Sequence, residues 1–342
     1  DVYKRQVQFE RIYYRPDIVG QQIDDAIGGA RPKNVTGGVD LASLSVPRVA
    51  VSQPPWETRG VNAAEHALGI ELQSGGASID EVNVFVNDIP VVPFENRESL
   101  AGQDNSLIQI PLQSSDNRVR VEALSDKARG IAETRVTVAG ELPPRSTRRT
   151  LYLVSVGISA FTGLPDSMQL QFSANDAVAV EDLFTTELKD LYDAVKAVVL
   201  TDLSWDMPSR DNIKNSLKTL AESGPDDTVV LFLASHGLSN KRGDYFFVPR
   251  DAALEDIQRV YRDPDAVTTL IRWHEFVDAL RAASGRRYLI VDTCHAEQIG
   301  GSLELMPLAK RSAASSFGLL AAAADGQESQ EMPSVRHGAF TL

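Results

Sequence analysis

Hydrophobic and polar positions follow two different rhythms along this chain. Between about residues 48 and 140 the apolar residues come in short alternating runs: Val82-Asn83-Val84-Phe85-Val86, Leu107-Ile108-Gln109-Ile110-Pro111-Leu112, Arg118-Val119-Arg120-Val121-Glu122-Ala123 and Thr134-Arg135-Val136-Thr137-Val138. A period of two places successive side chains on opposite faces, so each run predicts a strand with one apolar face. Asn87-Asp88 and Ser114-Ser115-Asp116-Asn117 supply turn chemistry between them.

Beyond Thr150 the runs become continuously apolar and alternate with amphipathic stretches. Strands are predicted at Leu151 to Ile158, Ala194 to Leu200, Thr228 to Ser235, Arg287 to Asp292 and Phe317 to Ala324. Helices are predicted at Asn175 to Leu188, Ser209 to Glu222 and His274 to Ala283, the second opened by Ser209 as a cap and stopped at Gly224-Pro225. Continuous apolar strands alternating with helices predict an α/β fold with a mostly parallel sheet and helices on both faces. The short alternating strands before it predict an all-β sandwich of immunoglobulin-like type.

These patterns divide the chain. Residues 48–140 form the expected sandwich and 150–342 the α/β domain. Residues 141–149, with Pro143-Pro144 and Arg145, Arg148 and Arg149, read as a linker. Residues 7–47 read as a connector from an upstream domain. Asp1 to Gln6 read as adapter-derived sequence foreign to the fold. Without an initiator Met and with a new apolar segment opening at Phe340-Thr341-Leu342, the chain is expected to be a fragment at both ends.

Composition narrows the function. A net charge of -13 argues against nucleic acid, which is held by clustered Lys and Arg, and favours a cationic partner. No apolar run reaches the roughly 20 residues that a membrane helix needs. A single cysteine forms no intrachain disulfide, and its thiol is best preserved in a reducing compartment, so a cytoplasmic location is expected.

That cysteine carries the candidate chemistry. Leu289-Ile290-Val291-Asp292-Thr293-Cys294-His295 closes one apolar run, and Thr228 to Ser235 closes in His236-Gly237, 58 residues upstream of Cys294. The carboxyl ends of strands in an open α/β sheet are where ligands bind. A thiol of ordinary pKa about 8.5 needs a base or cation beside it to become a nucleophile, and an imidazole supplies one. His236 can also protonate the leaving amine. Gly237, lacking a Cβ, allows its N–H to approach a developing oxyanion, with the Cys294 amide as second donor. Taken singly, Cys294 reads as a small core residue and His236-Gly237 as a turn; their joint placement is what points to catalysis. A zinc site built from His236, Cys294 and His295 lacks the paired ligands of structural zinc, so no metal is expected.

Ser235-His236-Gly237 and Asp292-Thr293-Cys294-His295 resemble the paired motifs of caspase-like cysteine peptidases, closest to bacterial metacaspase-type proteins. Leu151 to Ile158, Ser173-Ala174-Asn175-Asp176-Ala177 and His337-Gly338-Ala339-Phe340-Thr341 resemble other segments of that family, over residues 148 to 342. The resemblance implies a cysteine endopeptidase with Cys294 as nucleophile and His236 as general base and acid. It implies that Asp176 and Asp292 line the pocket for the P1 side chain, which precedes the scissile bond. Two carboxylates there would select Arg or Lys. Read without the family, Asp176 caps its helix and Asp292 pairs with nearby backbone. Where metacaspases continue Ser-Gly after Cys-His, this chain has Ala296-Glu297-Gln298.

Lys310 and Arg311 lie between the last two predicted strands, where caspase relatives are processed, and are the expected self-cleavage site; the other reading is solvated loop charge. No cofactor is implied. Calcium activation occurs in metacaspases, but the sequence holds no EF-hand-like alternation of acidic residues. The expected partner is a protein or peptide with a basic P1 residue. Two other functions fit the same residues: a catalytically silent scaffold or interaction module of a multidomain bacterial signalling protein, and acyl transfer to an amine by the same dyad.

Overall fold

A computed structural model describes residues 45–52, 65–76, 78–137, 148–240, 244–295, 317–322, 331–332, 334 and 336–338. They fall into two compact units divided before Arg148. Residues 1–44, most of the expected linker, Ala296-Glu297-Gln298, Lys310, Arg311 and Ala339-Phe340-Thr341 lie outside the described residues.

The first unit is all-β apart from one helix. Strands β1 (Arg48–Ser52), β2 (Glu65–Gln73) and β5 (Asn105–Pro111) form one antiparallel sheet. Strands β3 (Glu81–Val86), β4 (Ile89–Pro90), β6 (Asp116–Leu124) and β7 (Arg129–Thr137) form the second, in the order β4-β3-β6-β7. Helix α1 spans Phe94–Ala101. Leu68, Ile70 and Leu72 of β2, Ile110 of β5, Val82 and Val84 of β3, and Val119 and Val121 of β6 share one buried cluster. Apolar faces from both sheets thus make one core, consistent with an immunoglobulin-like region. The predicted turn at Asn87-Asp88 is real: both residues have positive φ, 51° and 66°, as the two central positions of a tight hairpin require.

The second unit is built on a mixed sheet. Strands β8 (Thr150–Gly157), β9 (Ala194–Thr201), β10 (Thr228–Ser239), β13 (Arg286–His295) and β14 (Gly318–Ala321) run parallel in the order β9-β8-β10-β13-β14. Past the end of β8, β10 takes β11 (Tyr245–Phe247) as an antiparallel neighbour, followed by β12 (Ile271–Arg272). A two-stranded ribbon, β15 (Glu331–Met332) with β16 (His337–Gly338), completes the described strands.

Helices cover both faces of the sheet. Ala177 and Val180 of α2 (Ser173–Asp182) pack with Leu151, Leu153, Val230, Phe232 and Ala234 on one face. On the other, Ile213 and Leu217 of α3 (Arg210–Leu217), Ile257 and Val260 of α4 (Leu254–Arg262), and Trp273 and Phe276 of α5 (Trp273–Ala282) pack with Val154, Val156, Leu231 and Leu289. Alternate residues of each strand serve opposite faces, which explains the continuously apolar runs.

One expectation is corrected here. His236-Gly237 and Cys294-His295 do not follow their strands; the first pair lies inside β10 and the second forms the last two residues of β13. Gly237 is paired with Phe247 on one side and His295 on the other, and neighbours on both sides allow small and polar residues to continue the ladder.

Candidate active site

Register brings the two motifs together. Strands β10 and β13 are parallel neighbours, and their aligned pairs include Ala234 with Asp292, Ser235 with Thr293, His236 with Cys294 and Gly237 with His295. Aligned residues of neighbouring strands share a sheet face and lie about 5 Å apart. His236 and Cys294 are therefore adjacent by backbone placement at the sheet's carboxyl end, with Asp292 on the same face one pleat repeat earlier.

The imidazole of His236 is held from two directions. It is 6% exposed. Its Nε2 lies 2.7 Å from the Met168 carbonyl oxygen, and its ring stacks on Phe161 with centroids 5.1 Å apart. A carbonyl only accepts, so Nε2 carries the hydrogen, and in the neutral ring Nδ1 is left as the basic nitrogen. Phe161 and Met168 both belong to the loop leaving β8. That loop closes on itself where the Leu170 N–H donates to the Ser159 carbonyl at 2.9 Å.

The opposite face of the same strand ends is packed by Tyr245. Its hydroxyl donates to Thr293 Oγ1 at 3.1 Å, and its ring meets Trp273 edge-on. Ser235 Oγ donates to the Val248 carbonyl at 2.7 Å. A Cβ on Gly237 would stand 2.3 Å from Tyr245 Oη, so any larger residue here requires the Tyr245 side chain to shift.

Both predicted pocket carboxylates are buried, Asp176 at 3% exposure and Asp292 at 4%. Gly157, Ala234 and Asp292 form one row across β8, β10 and β13. Over that row lies the first turn of α2: a Cβ on Gly157 would come within 2.1 Å of the Ser173 carbonyl oxygen and 2.7 Å of Ala177 Cβ. Asp176 belongs to that turn, yet it does not cap the helix. The capping position, Phe172, makes no side-chain cap bond, and the Asp176 carboxylate instead accepts from the Gly338 N–H and faces His337 Nδ1 at 2.9 Å. Asn175 Nδ2 donates to the Arg336 carbonyl at 3.1 Å, so two neighbouring α2 side chains hold residues 336–338.

Met168, Phe161 and His337 were not singled out as site residues from the sequence. Met168 contributes a backbone carbonyl, which any residue type supplies, so no side-chain signal could mark it. Phe161 reads as an ordinary core aromatic. His337 sits in a segment recognised as part of the family pattern, but its pairing with Asp176 depends on a contact 161 residues away. Among the described residues no cluster of three or more His, Cys, Asp or Glu could hold a metal ion, and no helix is long and apolar enough to cross a membrane.

The family model for the caspase domain (peptidase C14) matches residues 152–342. No curated protein matches the chain. Among solved structures, protein GSU0716 from Geobacter sulfurreducens is 13% identical, covering 56% of this chain and 79% of its own at a TM-score of 0.36. The chitinase ChiW of Paenibacillus sp. str. FPU-7 is 12% identical, covering 76% of this chain and 21% of its own at a TM-score of 0.19.

Proposed function

The chain belongs to the caspase-domain family of cysteine peptidases, and from that premise we propose that it is an endopeptidase that cuts proteins after Arg or Lys with a Cys294–His236 dyad. The observation that carries the dyad is the register that aligns His236 with Cys294 on neighbouring parallel strands, together with the Met168 carbonyl on Nε2.

In this reading Nδ1 of His236 takes the proton from the Cys294 thiol, and the thiolate attacks the scissile carbonyl carbon. The Met168 carbonyl favours the imidazolium so formed, because it accepts from the Nε2–H throughout. The proposed receivers of the tetrahedral intermediate's negative oxygen are the N–H groups of Gly237 and Cys294; since both residues stand in the aligned β10–β13 ladder, each must leave its strand pairing to serve. His236 then gives its proton to the leaving amine, and water hydrolyses the acyl-enzyme. Gly237 thus has one reason to be glycine. The packing against Tyr245 is sufficient for its lack of a Cβ, and the oxyanion role asks only for its N–H.

Specificity in this reading rests on Asp176 and Asp292. Two buried carboxylates on the face that also carries Cys294 provide charge for a guanidinium or ammonium. A fluorogenic peptide panel varied at P1 tests it. Arg and Lys substrates are expected to be cleaved and Asp substrates refused; preference for Asp would remove the pocket assignment and leave the peptidase assignment standing. Labelling by an electrophilic peptidyl-arginine probe, lost in Cys294→Ala, separates a peptidase from a silent scaffold.

A further inference from the structure

The loop that holds His236 is cross-linked by one of its own side chains. Gln169 Oε1 accepts from the Phe161 N–H at 2.6 Å, while Nε2 faces the carbonyl oxygens of Phe161, Leu164 and Pro165 at 3.2, 3.1 and 3.3 Å. The orientation of this amide is fixed by its partners. Three carbonyls can only accept, so the nitrogen must face them, and the one N–H must meet the oxygen. A single amide thereby cross-links both arms of the Ser159–Leu170 loop from the inside.

Both groups on the His236 ring are direct neighbours of that cross-link. Phe161, whose ring stacks on the imidazole, is the residue whose N–H and carbonyl Gln169 binds. Met168, whose carbonyl accepts from Nε2, precedes Gln169 in the chain. The rest of the loop is anchored away from the ring. Asp202 accepts from the Ser159 and Ala160 N–H groups at 2.5 and 2.9 Å, and Thr162 donates to the Arg250 carbonyl. Those contacts fix where the loop starts, while Gln169 fixes how its two arms meet the ring.

We infer that Gln169 is a positioning residue for His236, selecting the Nε2–H tautomer by holding the Met168 carbonyl and the Phe161 ring against the imidazole. The inference rests on the proposed dyad for its catalytic meaning, but the tautomer itself is a property of the folded protein whether or not it cleaves anything. Gln169→Glu is the sharpest substitution, because it keeps the shape and the acceptor for the Phe161 N–H. It replaces the donors with an oxygen that faces three carbonyl oxygens.

The experiment has two arms on the full chain. Long-range ¹H–¹⁵N correlation spectra of the histidine rings, with His236 assigned by its loss in His236→Gln, report the tautomer directly. The wild type is expected to show a single Nε2–H form above the histidine titration. Gln169→Glu and Gln169→Leu are expected to populate both forms. In the second arm, kcat/KM for an arginyl substrate is followed against pH. In both variants kcat is expected to fall roughly tenfold to a hundredfold, with little change in KM. The acidic limb, set in this mechanism by protonation of the His236 base, is expected to move to lower pH, because an imidazolium without its carbonyl acceptor loses its proton sooner.

Variants that keep the single Nε2–H tautomer and an unmoved pH profile would overturn the inference, even if their Tm falls. A wild type that cleaves no arginyl substrate would instead count against the proposed activity, and the tautomer arm would still decide the role of Gln169.

Discussion

Gly338 donates its backbone N–H to both carboxylate oxygens of Asp176, 3.1 Å from each, joining positions 162 residues apart. The carboxylate is thus partly engaged by the protein's own backbone while its charge remains buried. Asp176→Asn keeps an oxygen for that N–H and removes the charge. Substrates with Arg at P1 are expected to lose about 2 to 4 kcal/mol of transition-state binding, roughly thirtyfold to a thousandfold in kcat/KM. Peptides with neutral citrulline at P1 are expected to lose little. An Arg-to-citrulline ratio equal to that of the wild type would exclude Asp176 from the pocket.

Tyr245 fills the space where a side chain on Gly237 would stand. Gly237→Ala is therefore expected to destabilise the protein by about 1 to 3 kcal/mol through overpacking, and Tyr245→Leu to offset part of that loss when combined with it. Chemical denaturation of the two single variants and the double variant measures the coupling. A double variant less stable than the sum of the singles would reject the packing account. Since alanine keeps the N–H, activity at a temperature where the double variant is folded should approach that of Tyr245→Leu alone.

What the sequence disclosed follows from where the information resides. His236 and Cys294 were legible because each sits in a long apolar run of fixed period, and parallel strands need only alignment to bring such run-ends together. That they lie within the ladder was not legible, because the partner that extends β10, Tyr245–Phe247, is three residues long and carries no period. Helix Leu254–Arg262 was legible in principle, with Leu254, Ile257, Val260 and Tyr261 at helical spacing. Strand Glu65–Gln73 was obscured by Gly69 in its alternation of His66, Leu68, Ile70 and Leu72. The carbonyl on His236 could not have been read at all, since it belongs to the backbone.

A carboxylate remote from the dyad contributes to the acid stability of this unit. Asp256 is buried, and burial disfavours its charge. The donors of Thr268, Thr269 and Arg259 outweigh that cost and hold its pKa well below the ordinary 3.8. They lie at 2.9 and 2.7 Å for the two threonine N–H groups and 2.9 Å for the guanidinium. The folded state therefore binds its proton less readily than the unfolded chain. The stabilisation is fully present above about pH 4 and lost as pH falls toward the folded value. Asp256→Asn is expected to cost about 1.5 to 3 kcal/mol at pH 7, and the gap to the wild type to narrow below pH 4. Urea titrations at pH 7, 5 and 3 check the sign; a gap that widens in acid would refute it.

Lys310 and Arg311 lie in the connection from β13, which carries Cys294, to β14. A pocket that selects basic P1 residues would find this pair as its first substrate, since a tethered segment is presented at an effective concentration of order millimolar. Freshly purified protein is expected to convert to two fragments by cleavage after Lys310 or Arg311, with intact mass and amino-terminal sequencing locating the cut. Cys294→Ala should remain whole, and so should the variant carrying both Lys310→Gln and Arg311→Gln, although that variant should still cleave an arginyl peptide. The half-time of conversion distinguishes routes: cleavage within one chain is independent of protein concentration, whereas cleavage between copies accelerates with it. Wild-type protein that stays uncut while hydrolysing arginyl peptides would remove self-processing and leave the specificity intact.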